Sequence, residues 1–313
     1  MAAAPASSAE HFGLSAVCSA TGKEQNPCME KTNYLLGLYE KALPDFDSWE
    51  EKLESAAAGG FDWLEISVDE SDKKLARLHS GPEQRAEIRS ACANTGVQLR
   101  TMCLSGHRKY PLGSRSRLTR QRSMDIMKRA VDLSAELGIR LIQLAGYDVY
   151  YEQHGEDTEA LFLQGLSEAA EYAASQGVIM GFETMETPFM DTVEKSMRYV
   201  QHVNSPYLGI YPDIGNLKNA AVVYGSDVVA DLRLGQGHIF AAHLKETLPG
   251  VYRDMHFNTG GHTEYVPCIR ELLRQGVRMF TGEFWYHGEE NYKELISEAS
   301  AFLRGRIALA EGK

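Results

Sequence analysis

Gly209-Ile210-Tyr211-Pro212-Asp213-Ile214-Gly215-Asn216 joins an apolar, strand-like run to a carboxylate, after which two strand-breaking residues follow. Three other apolar runs also end in a residue type that can ligate a metal: residues 178–183, 239–243 and 279–283. The spacing is 30 residues from Glu183 to Asp213, 30 from Asp213 to His243 and 40 from His243 to Glu283. About 30 residues is the length of one strand–helix–strand unit. Each unit therefore places one candidate ligand at the same point.

The alternation of short apolar runs and helical patterns extends over the whole chain from Tyr34 onward. Strands are predicted at residues 35–39, 61–68, 97–104, 139–145, 178–183, 209–213, 239–243 and 279–283. Helices are predicted near residues 47–58, 82–95, 116–137, 158–175, 192–203, 222–234, 264–275 and 291–309. Strict alternation favours a parallel sheet, and eight strand–helix pairs in roughly 275 residues match a single-domain (β/α)₈ TIM barrel.

The rival α/β architecture is an open, doubly wound sheet. That fold normally has a glycine-rich turn after its first strand, whereas this chain has Glu40-Lys41-Ala42-Leu43-Pro44. The barrel is therefore predicted over residues 34–313. Residues 1–33 are rich in Ala and Ser and show neither a clear period nor the pattern of a secretory or transit signal. We expect them to form a poorly ordered N-terminal extension.

Composition limits the partners. The 313 residues carry 32 Lys and Arg against 43 Asp and Glu, a net charge of −11, which disfavours binding to nucleic acid. No apolar run approaches the ~20 residues of a membrane span, so no membrane partner is expected. Five cysteines without a CxxC pair are typical of reduced thiols in a cytoplasmic protein. A small anionic substrate remains compatible with the charge, because it needs only a few local donors.

A barrel explains where the four candidate ligands lie, since active sites of this fold form at the carboxyl ends of the strands. Side chains alternate along a strand, so the residue two positions before each ligand also faces the interior. These residues are Gly181, Tyr211, Ala241 and Thr281. Three are small, which suits a bound ligand above them. The sequence offers no explanation for the large Tyr211.

Three carboxylates and one imidazole suit a single divalent metal ion, Mn²⁺, Mg²⁺, Co²⁺ or Zn²⁺. The set contains no thiolate, which disfavours a structural zinc site. One acid at a strand end is commonly a solvated side chain. Four ligand-type residues at the same phase of four consecutive units predict a metal site formed by Glu183, Asp213, His243 and Glu283.

Several longer motifs carry a family resemblance. They are Tyr-Glu-Lys-Ala-Leu-Pro (39–44), Ser-Val-Asp-Glu (67–70), Met-Cys-Leu-Ser-Gly-His-Arg-Lys-Tyr-Pro-Leu-Gly (102–113), Ile-Gln-Leu-Ala-Gly-Tyr-Asp-Val-Tyr-Tyr (142–151), Tyr-Pro-Asp-Ile-Gly-Asn-Leu (211–217) and His-Leu-Lys-Glu-Thr-Leu-Pro-Gly-Val-Tyr (243–252). From residue 35 to residue 306 the chain resembles the L-ribulose-5-phosphate (L-xylulose-5-phosphate) 3-epimerases of the xylose-isomerase-like barrel superfamily. The resemblance implies the same four metal ligands, Glu183 and Glu283 as the acid/base pair, a sugar-phosphate substrate of pentose or ascorbate breakdown, and a homodimer.

The implied reaction needs this arrangement of groups. Carbon 3 of a 2-ketopentose 5-phosphate lies beside a carbonyl, so its proton can leave if the resulting enediolate is stabilised, which a metal does as a Lewis acid. Inversion then requires proton removal on one face and proton return on the other. Two carboxylates on opposite sides of the sugar would serve, and the sequence leaves open which one serves which epimer.

Three further residues each have two possible roles. Glu65 ends the second strand and either contacts a substrate hydroxyl or forms a structural ion pair. His107 follows the third strand, where the resemblance favours a substrate contact over a solvated loop histidine. Lys245 lies two residues beyond His243 and either balances charge near the metal or faces solvent. All three are retained as candidate substrate-binding residues.

The loop over residues 247–263 is the candidate phosphate site. It contains Arg253 and the pair Gly260-Gly261 just before a predicted helix, and backbone N–H groups at such a position bind phosphate well. Barrels often use the loops after strands seven and eight for this purpose. The resembling family usually has an acidic residue between two such glycines, which this chain lacks.

Three alternatives to the epimerase remain. A ketose–aldose isomerase on this fold generally needs a second metal with further carboxylates near strands six and seven, where only Glu246 is present. A barrel nuclease with several zinc ions would need more histidines at strand ends and a basic face. A non-catalytic sugar-phosphate-binding regulator would not need acids at both Glu183 and Glu283, and a turnover assay separates it from an enzyme.

Overall fold

The computed structural model describes residues 32–313, and the expected extension over residues 1–33 lies outside this range except for its last two residues. Eight parallel strands alternate with helices. The strands are β1 (Leu35–Tyr39), β2 (Trp63–Val68), β3 (Gln98–Leu104), β4 (Leu141–Ala145), β5 (Ile179–Glu183), β6 (Leu208–Ile210), β7 (Ala242–Leu244) and β8 (Met279–Gly282). All eight predicted strands are thus present, and two of the four candidate ligands, Asp213 and Glu283, lie beyond the ends of β6 and β8.

The α-helices of the described residues lie between and after these strands. They are α1 (Trp49–Ala58), α2 (Asp72–Ala76), α3 (Pro82–Thr95), α4 (Arg117–Leu137), α5 (Glu156–Ser175), α6 (Val193–Val203), α7 (Ile214–Tyr224), α8 (Val228–Leu234), α9 (Tyr265–Arg274) and α10 (Tyr292–Glu311). Ser48, Ser116 and Thr192 cap α1, α4 and α6 as N-cap residues, which matches the preference of hydroxyl side chains for that position. None of these helices is long and apolar enough to span a membrane.

One helix prediction was wrong. The predicted helix at 222–234 is two helices, because α7 begins directly after Asp213 and ends at Gly225, which adopts the left-handed conformation at φ 64°. The short helix α2, which was not predicted, follows β2 and is capped by Ser71. The strand itself ends at Ile210, so Gly215 and Asn216 do not break it and lie instead in the first turn of α7.

The sheet runs in the order β6-β5-β4-β3-β2-β1-β8-β7, so strands that follow one another in sequence pair, except β6 and β7, and β1 pairs with β8. The two outer strands of this order, β6 and β7, meet through isolated parallel bridges at Ile210–Ile239 and Asp213–His243. Ile210 accepts an N–H from Phe240, and His243 donates its N–H to the carbonyl of Pro212 at 2.9 Å. The barrel therefore closes, with its sparsest ladder between β6 and β7.

The interior of the barrel explains Tyr211. This fully buried side chain packs with Leu141 and Ala241 inside the sheet, separate from the main core between sheet and helices. A side chain at Gly181 would crowd Tyr211, so the small residue on β5 makes room for the large one beside it. The phenol hydroxyl reaches Thr281 at 2.6 Å. Tyr211 thus fills the barrel directly beneath the candidate ligands.

Glu40 fixes the segment after β1. Its buried carboxylate accepts hydrogen bonds from Lys52 at 3.0 Å and from both Nη atoms of Arg77, and it also accepts the backbone N–H of Ser67 on β2. Lys74 lies 3.0 Å away. Burial opposes ionisation of Glu40, but the three cations outweigh it and hold its pKa below its usual range. The network positions Tyr39 and Lys41, which flank Glu40. Both line a cavity that also contains Glu183 and Glu283, called the central cavity below.

Candidate metal centre

The four candidate ligands converge at the carboxyl ends of β5, β6, β7 and β8. Each of Glu183, Asp213, His243 and Glu283 offers one ligand atom, and these atoms all lie within 4.8 Å of one another. All four side chains are buried. The convergence follows from the parallel sheet, because neighbouring strands of a barrel end at the same face. Within residues 32–313 this is the only such group of three or more His, Cys, Asp or Glu residues.

Asp213 is held by the start of α7. Its Oδ1 accepts the N–H groups of Gly215 and Asn216 at 2.7 and 2.9 Å, which makes Asp213 the N-cap of that helix. Its own N–H donates to Thr184 Oγ1 on the neighbouring loop. Oδ2 points to the other side, 2.5 Å from Lys245 Nζ. One carboxylate oxygen is therefore used for structure, and the other faces the site.

His243 is held from below by a carboxylate. Its Nε2 donates to Glu65 Oε1 at 2.6 Å, and the second oxygen of Glu65 accepts from Tyr211 at 2.9 Å and from Thr101. The other ring nitrogen, Nδ1, faces Glu283 Oε2 at 3.0 Å and Glu183 Oε1 at 3.5 Å. A histidine that ligates a metal through one nitrogen commonly donates its other N–H to a carboxylate.

The two glutamates are the ligands that reach the central cavity. Glu183 and Glu283 are both 5% exposed and line it, whereas Asp213 and His243 are completely buried beneath. Gln143 on β4 donates a hydrogen bond to Glu183 Oε2 and so fixes one side of that carboxylate. Lys245 Nζ lies 3.3 Å from Glu283 Oε2.

Protonation in the cluster reflects its excess of negative charge. Burial opposes protonation of His243, but Glu65 and Glu283 outweigh it and raise the pKa of the imidazole well above its usual range. Burial raises the pKa of Asp213 to about 7, although Lys245 opposes this. Burial also disfavours ionised Glu283, yet Lys245 and His243 hold its pKa below its usual range. The acids therefore attract positive charge to their centre.

The geometry of the cluster fits a metal ion. Asp213 Oδ2, His243 Nδ1 and Glu283 Oε2 are buried and close to other polar atoms, but none forms an aligned hydrogen bond within the described part of the chain. Buried polar atoms rarely lack an aligned hydrogen-bond partner. Three such atoms pointing to one place, from two carboxylates and an imidazole, are the donors that Mn²⁺, Co²⁺ or Zn²⁺ would take. A divalent cation can be held here by the same four residues.

The cavity above the cluster carries the groups a polar substrate would meet. Its lining includes Tyr39, Lys41, Cys103, Ser105, Arg108, Glu183, Met185, Glu186, Asn216, Lys245, Tyr252, Arg253, Glu283 and Trp285. Asn216 donates its amide to the carbonyl of Thr184, while its buried Oδ1 has no hydrogen-bond partner among residues 32–313. Trp285 packs edge-on against Tyr39 with ring centroids 6.0 Å apart. Asn216 Oδ1 is thus available to a substrate hydroxyl.

Only some of the predicted substrate-binding residues line the central cavity. Lys245 and Arg253 line the cavity. Glu65 does not, because it is fully buried with both oxygens bonded to protein groups, so its structural reading is favoured over a substrate contact. His107 is also buried, with Nε2 3.2 Å from the carbonyl of Ser123, and burial lowers its pKa to about 4. It is neither solvated nor part of the cavity lining.

Gly260 and Gly261 lie beside a different cavity, together with Glu246. Glu246 Oε1 accepts the N–H of Thr263 at 3.2 Å and that of Thr247 at 3.1 Å. A side chain at Gly261 would collide with the same carboxylate. The backbone N–H of Thr263, at the end of this loop, therefore already donates to a carboxylate of the protein. This arrangement does not favour the expected phosphate contact at the two glycines.

Sequence reasoning missed Gln143, Asn216 and Arg108. Asn216 follows Asp213 by three residues, so the helical geometry of α7 brings it back to the site, but α7 was not predicted there. Gln143 is interior because it alternates with buried Leu144 on β4, a signal that was available. Arg108 also lines the cavity, although no sequence pattern marked it as a site residue.

The fold is that of a xylose isomerase-like barrel, because residues 53–306 match the xylose isomerase-like TIM barrel family. The chain is 40% identical over 276 residues to L-ribulose-5-phosphate 3-epimerase UlaE of Salmonella paratyphi A, covering 88% of this chain and 95% of that protein. The protein of the same name from Salmonella enteritidis PT4 has the same identity and coverage. The chain belongs to the L-ribulose-5-phosphate 3-epimerase family of these barrels.

Solved structures agree on the fold. A D-allulose 3-epimerase from Methylomonas sp., in complex with D-allulose, superposes with a TM-score of 0.72 at 14% identity, covering 87% of this chain and 97% of that one. An L-ribulose 3-epimerase superposes with a TM-score of 0.71 at 17% identity, covering 89% and 96%. The predicted barrel and the predicted family are both confirmed.

Proposed function

We propose that this protein is a metal-dependent epimerase that interconverts L-ribulose 5-phosphate and L-xylulose 5-phosphate by inverting carbon 3. The observation that carries the proposal is the division of the four ligands. Two buried groups, Asp213 and His243, form the base of the cluster, while Glu183 and Glu283 reach the cavity. An epimerisation by two proton transfers needs two carboxylates that touch the substrate. The name of the curated relatives supports the choice of substrate.

The residues would divide the reaction as follows. Glu183, fixed by Gln143, and Glu283, kept ionised by Lys245 and His243, act as the two acid/base groups on opposite faces of carbon 3. Asn216 Oδ1 and Lys245 orient the oxygens of the sugar. A bound divalent cation, Mn²⁺, Mg²⁺, Co²⁺ or Zn²⁺, supplies Lewis-acid stabilisation of the enediolate. Trp285, at the cavity wall, helps to exclude water from the enediolate.

The geometry supports an epimerase over the alternatives. A ketose–aldose isomerase with two metals needs a second ligand cluster, and the described residues contain one group only. Glu246, the extra carboxylate considered for that role, is bonded to the backbone of Thr247 and Thr263 instead. The same single group disfavours a nuclease with several zinc ions. The cytoplasmic location and the homodimer remain predictions, the latter testable by sedimentation.

The experiment is proton NMR of the purified protein, loaded with diamagnetic Zn²⁺ or Mg²⁺, with each pentulose phosphate in D₂O. We expect each epimer to convert into the other with loss of the carbon 3 proton signal. The matched control is protein treated with a chelator and assayed before and after the metal is restored. Conversion that retains the carbon 3 proton, or exchange at carbon 1 with formation of an aldose, would contradict the proposal.

A further inference from the structure

One wall of the central cavity is a short segment of the loop after β7, residues 252–256, called the strap below. Its first two residues, Tyr252 and Arg253, line the cavity. No backbone N–H or carbonyl of the strap bonds to another backbone group within the described part of the chain. A segment without such bonds opens more easily than a helix or a strand. The strap therefore depends on its side chains for its position.

Both ends of the strap are anchored. Before it, Asn219 on α7 donates to the carbonyl of Val251 at 3.2 Å and accepts the N–H of Gly250 at 2.9 Å. After it, the buried Phe257 packs against Phe284 with ring centroids 5.6 Å apart. A segment this short, fixed at both ends, can move as a unit while the barrel stays in place.

Two contacts between a histidine and a carboxylate join the strap to the loop after β8. His256 Nε2 lies 3.0 Å from Glu289 Oε1, and His287 Nε2 lies 3.3 Å from Asp254 Oδ1. The side chains of the first pair are 28% and 23% exposed, whereas that of Asp254 is 73% exposed. Exposed ion pairs contribute little, so the His256–Glu289 contact is the main one. The N–H of His287 also holds Glu289 in place, at 2.7 Å from Oε2.

The strength of the main contact depends on the charge of the imidazole. Burial opposes ionisation of Glu289, but the N–H of His287 and the imidazole of His256 outweigh it and lower its pKa. Glu289 is therefore ionised at neutral pH, whereas a histidine ordinarily changes its charge between about pH 5 and 8. Protonation of His256 converts the contact from a neutral hydrogen bond into an ion pair, which is the stronger of the two.

Other charged groups contact the strap as well. Asp254 faces His287, and Arg253 donates to Glu186 of the loop after β5 at 3.0 Å. The rings of His256 and His287 have centroids 6.4 Å apart, so two protonated imidazoles repel each other, but each has its own carboxylate. Arginine and carboxylate side chains ordinarily remain charged between about pH 5 and 8, so the histidines are the titrating groups. The strap is therefore joined to the loop after β8 most strongly at acidic pH.

We propose that the strap is a lid of the central cavity, and that the His256–Glu289 contact is a latch that holds this lid closed when the imidazole is protonated. The strap carries two of the side chains that line the cavity, and the loop to which it is joined carries another, Trp285. Closing the latch therefore fixes two walls of the cavity relative to each other. The inference rests on the proposed function for the identity of the substrate, but not for the latch itself.

Limited proteolysis measures the opening of the lid. Chymotrypsin cleaves after an aromatic residue such as Tyr252 only when the surrounding chain leaves its closed position. We expect His256→Gln to be cleaved there about two- to five-fold faster than the wild type at about pH 6, and at the same rate at about pH 8.5. Comparing the two proteins at one pH cancels the pH dependence of the protease itself.

Three further variants separate the latch from a general loss of structure. Glu289→Gln removes the charge of the other partner and should behave like His256→Gln. His256→Lys keeps a positive charge at both pH values, so cleavage should stay slow at both. His202→Gln, at an exposed histidine in the last turn of α6, is the matched control and should not differ from the wild type at either pH.

Kinetics supply a second readout. The KM of His256→Gln for L-ribulose 5-phosphate, divided by that of the wild type, should be about two to five at about pH 6 and close to one at about pH 8.5. A ratio that does not depend on pH in either measurement, or the same change in His202→Gln, would overturn the latch. Protein that shows the expected cleavage but turns over neither pentulose phosphate would overturn the epimerase function and leave the latch standing.

Discussion

Glu65 and His243 are joined by a hydrogen bond of 2.6 Å between Oε1 and Nε2, at a depth where neither side chain meets solvent. The contact connects β2 to β7 across the interior of the barrel. It fixes the ring so that Nδ1 points to the cluster, and it keeps a negative charge directly behind the imidazole. In a ligating histidine both effects strengthen the bond to the metal.

Changing Glu65→Gln should therefore weaken metal binding. Loss of a carboxylate behind a ligating histidine typically costs about 10–100-fold in metal affinity, and we expect that range for Mn²⁺ in isothermal titration calorimetry. Thr101→Val is the matched control, because it removes a neighbouring hydrogen bond to Glu65 but leaves the His243 contact. Unchanged metal affinity in Glu65→Gln would mean that His243 is held by packing alone.

Two substitutions at Asp213 should separate its structural and ligand roles. Asp213→Asn retains an oxygen for the N–H groups of Gly215 and Asn216, so the cap of α7 should survive while metal binding is lost. Asp213→Ala should lose both, with a further reduction of about 0.5–2 kcal/mol in the free energy of unfolding from the missing cap. Urea denaturation of the two metal-free variants measures the difference, and elemental analysis measures the metal. Equal stability of the two variants, or full metal content in Asp213→Asn, would count against these roles.

The two cavity glutamates should differ in which epimer they serve. In Glu283→Gln the remaining acid, Glu183, can still remove and return a proton on its own face, so one epimer should take up deuterium at carbon 3 without inverting. Glu183→Gln should show the opposite preference. Net epimerisation should fall by several orders of magnitude in both variants. Proton NMR in D₂O measures exchange and inversion together.

Metal content is the control for that experiment, because both glutamates are also proposed ligands. Elemental analysis of each variant must precede the exchange measurement. Exchange of the same epimer by both variants would replace the two-base mechanism by a one-base mechanism. Wild-type product formed without solvent deuterium would replace it by a hydride shift.

Glu40→Gln should destabilise the barrel strongly. The change leaves Lys52, Lys74 and Arg77 buried or half-buried without their carboxylate, a loss that commonly costs about 3–5 kcal/mol. Since the pKa of Glu40 is depressed in the folded state, its contribution is present at neutral pH and is lost as the pH falls below the ordinary range of a glutamate. The difference between wild type and variant in urea denaturation should therefore shrink on acidification. Asp45→Asn is the control: its exposed pair with Lys73 should contribute little to stability.

The sequence predicts the barrel and the convergence of the four ligands because both follow from period and register. Glu183, Asp213, His243 and Glu283 each end an apolar run, and parallel strands bring such ends together whatever the loops do. Their roles as ligands remain a prediction, which the metal measurements above test. Lys245 and Arg253 line the cavity, and their contacts with a substrate remain a prediction.

Contacts between distant segments could not be predicted in this way. Glu65 and His243 are 178 residues apart, and nothing local to either one indicates the other. Tyr211 looked too large for the interior because its partner space is made by Gly181 on the neighbouring strand. The helix α7 was missed because Gly215 and Asn216 are poor helix formers, and the cap from Asp213 that starts the helix has the same residue type as a ligand. Arg108 could not be placed from sequence either, since the rings that pack against it, Tyr147 and Tyr150, lie 39 and 42 residues further along the chain.

A metal bound at the candidate site would also have a mechanical role at the sparse junction between β6 and β7. Asp213 and His243 are themselves the residues of one of the two bridges that close the barrel there. An ion bound by both would link β6 and β7 at the place where the barrel is closed by few backbone hydrogen bonds. Binding of the cation would then stabilise the β6–β7 junction, and its release would destabilise it. Amide hydrogen exchange at Ile210, Phe240 and His243, whose N–H groups bond across this junction, should be slower with the cation bound. The exchange rate would therefore report metal occupancy without any substrate.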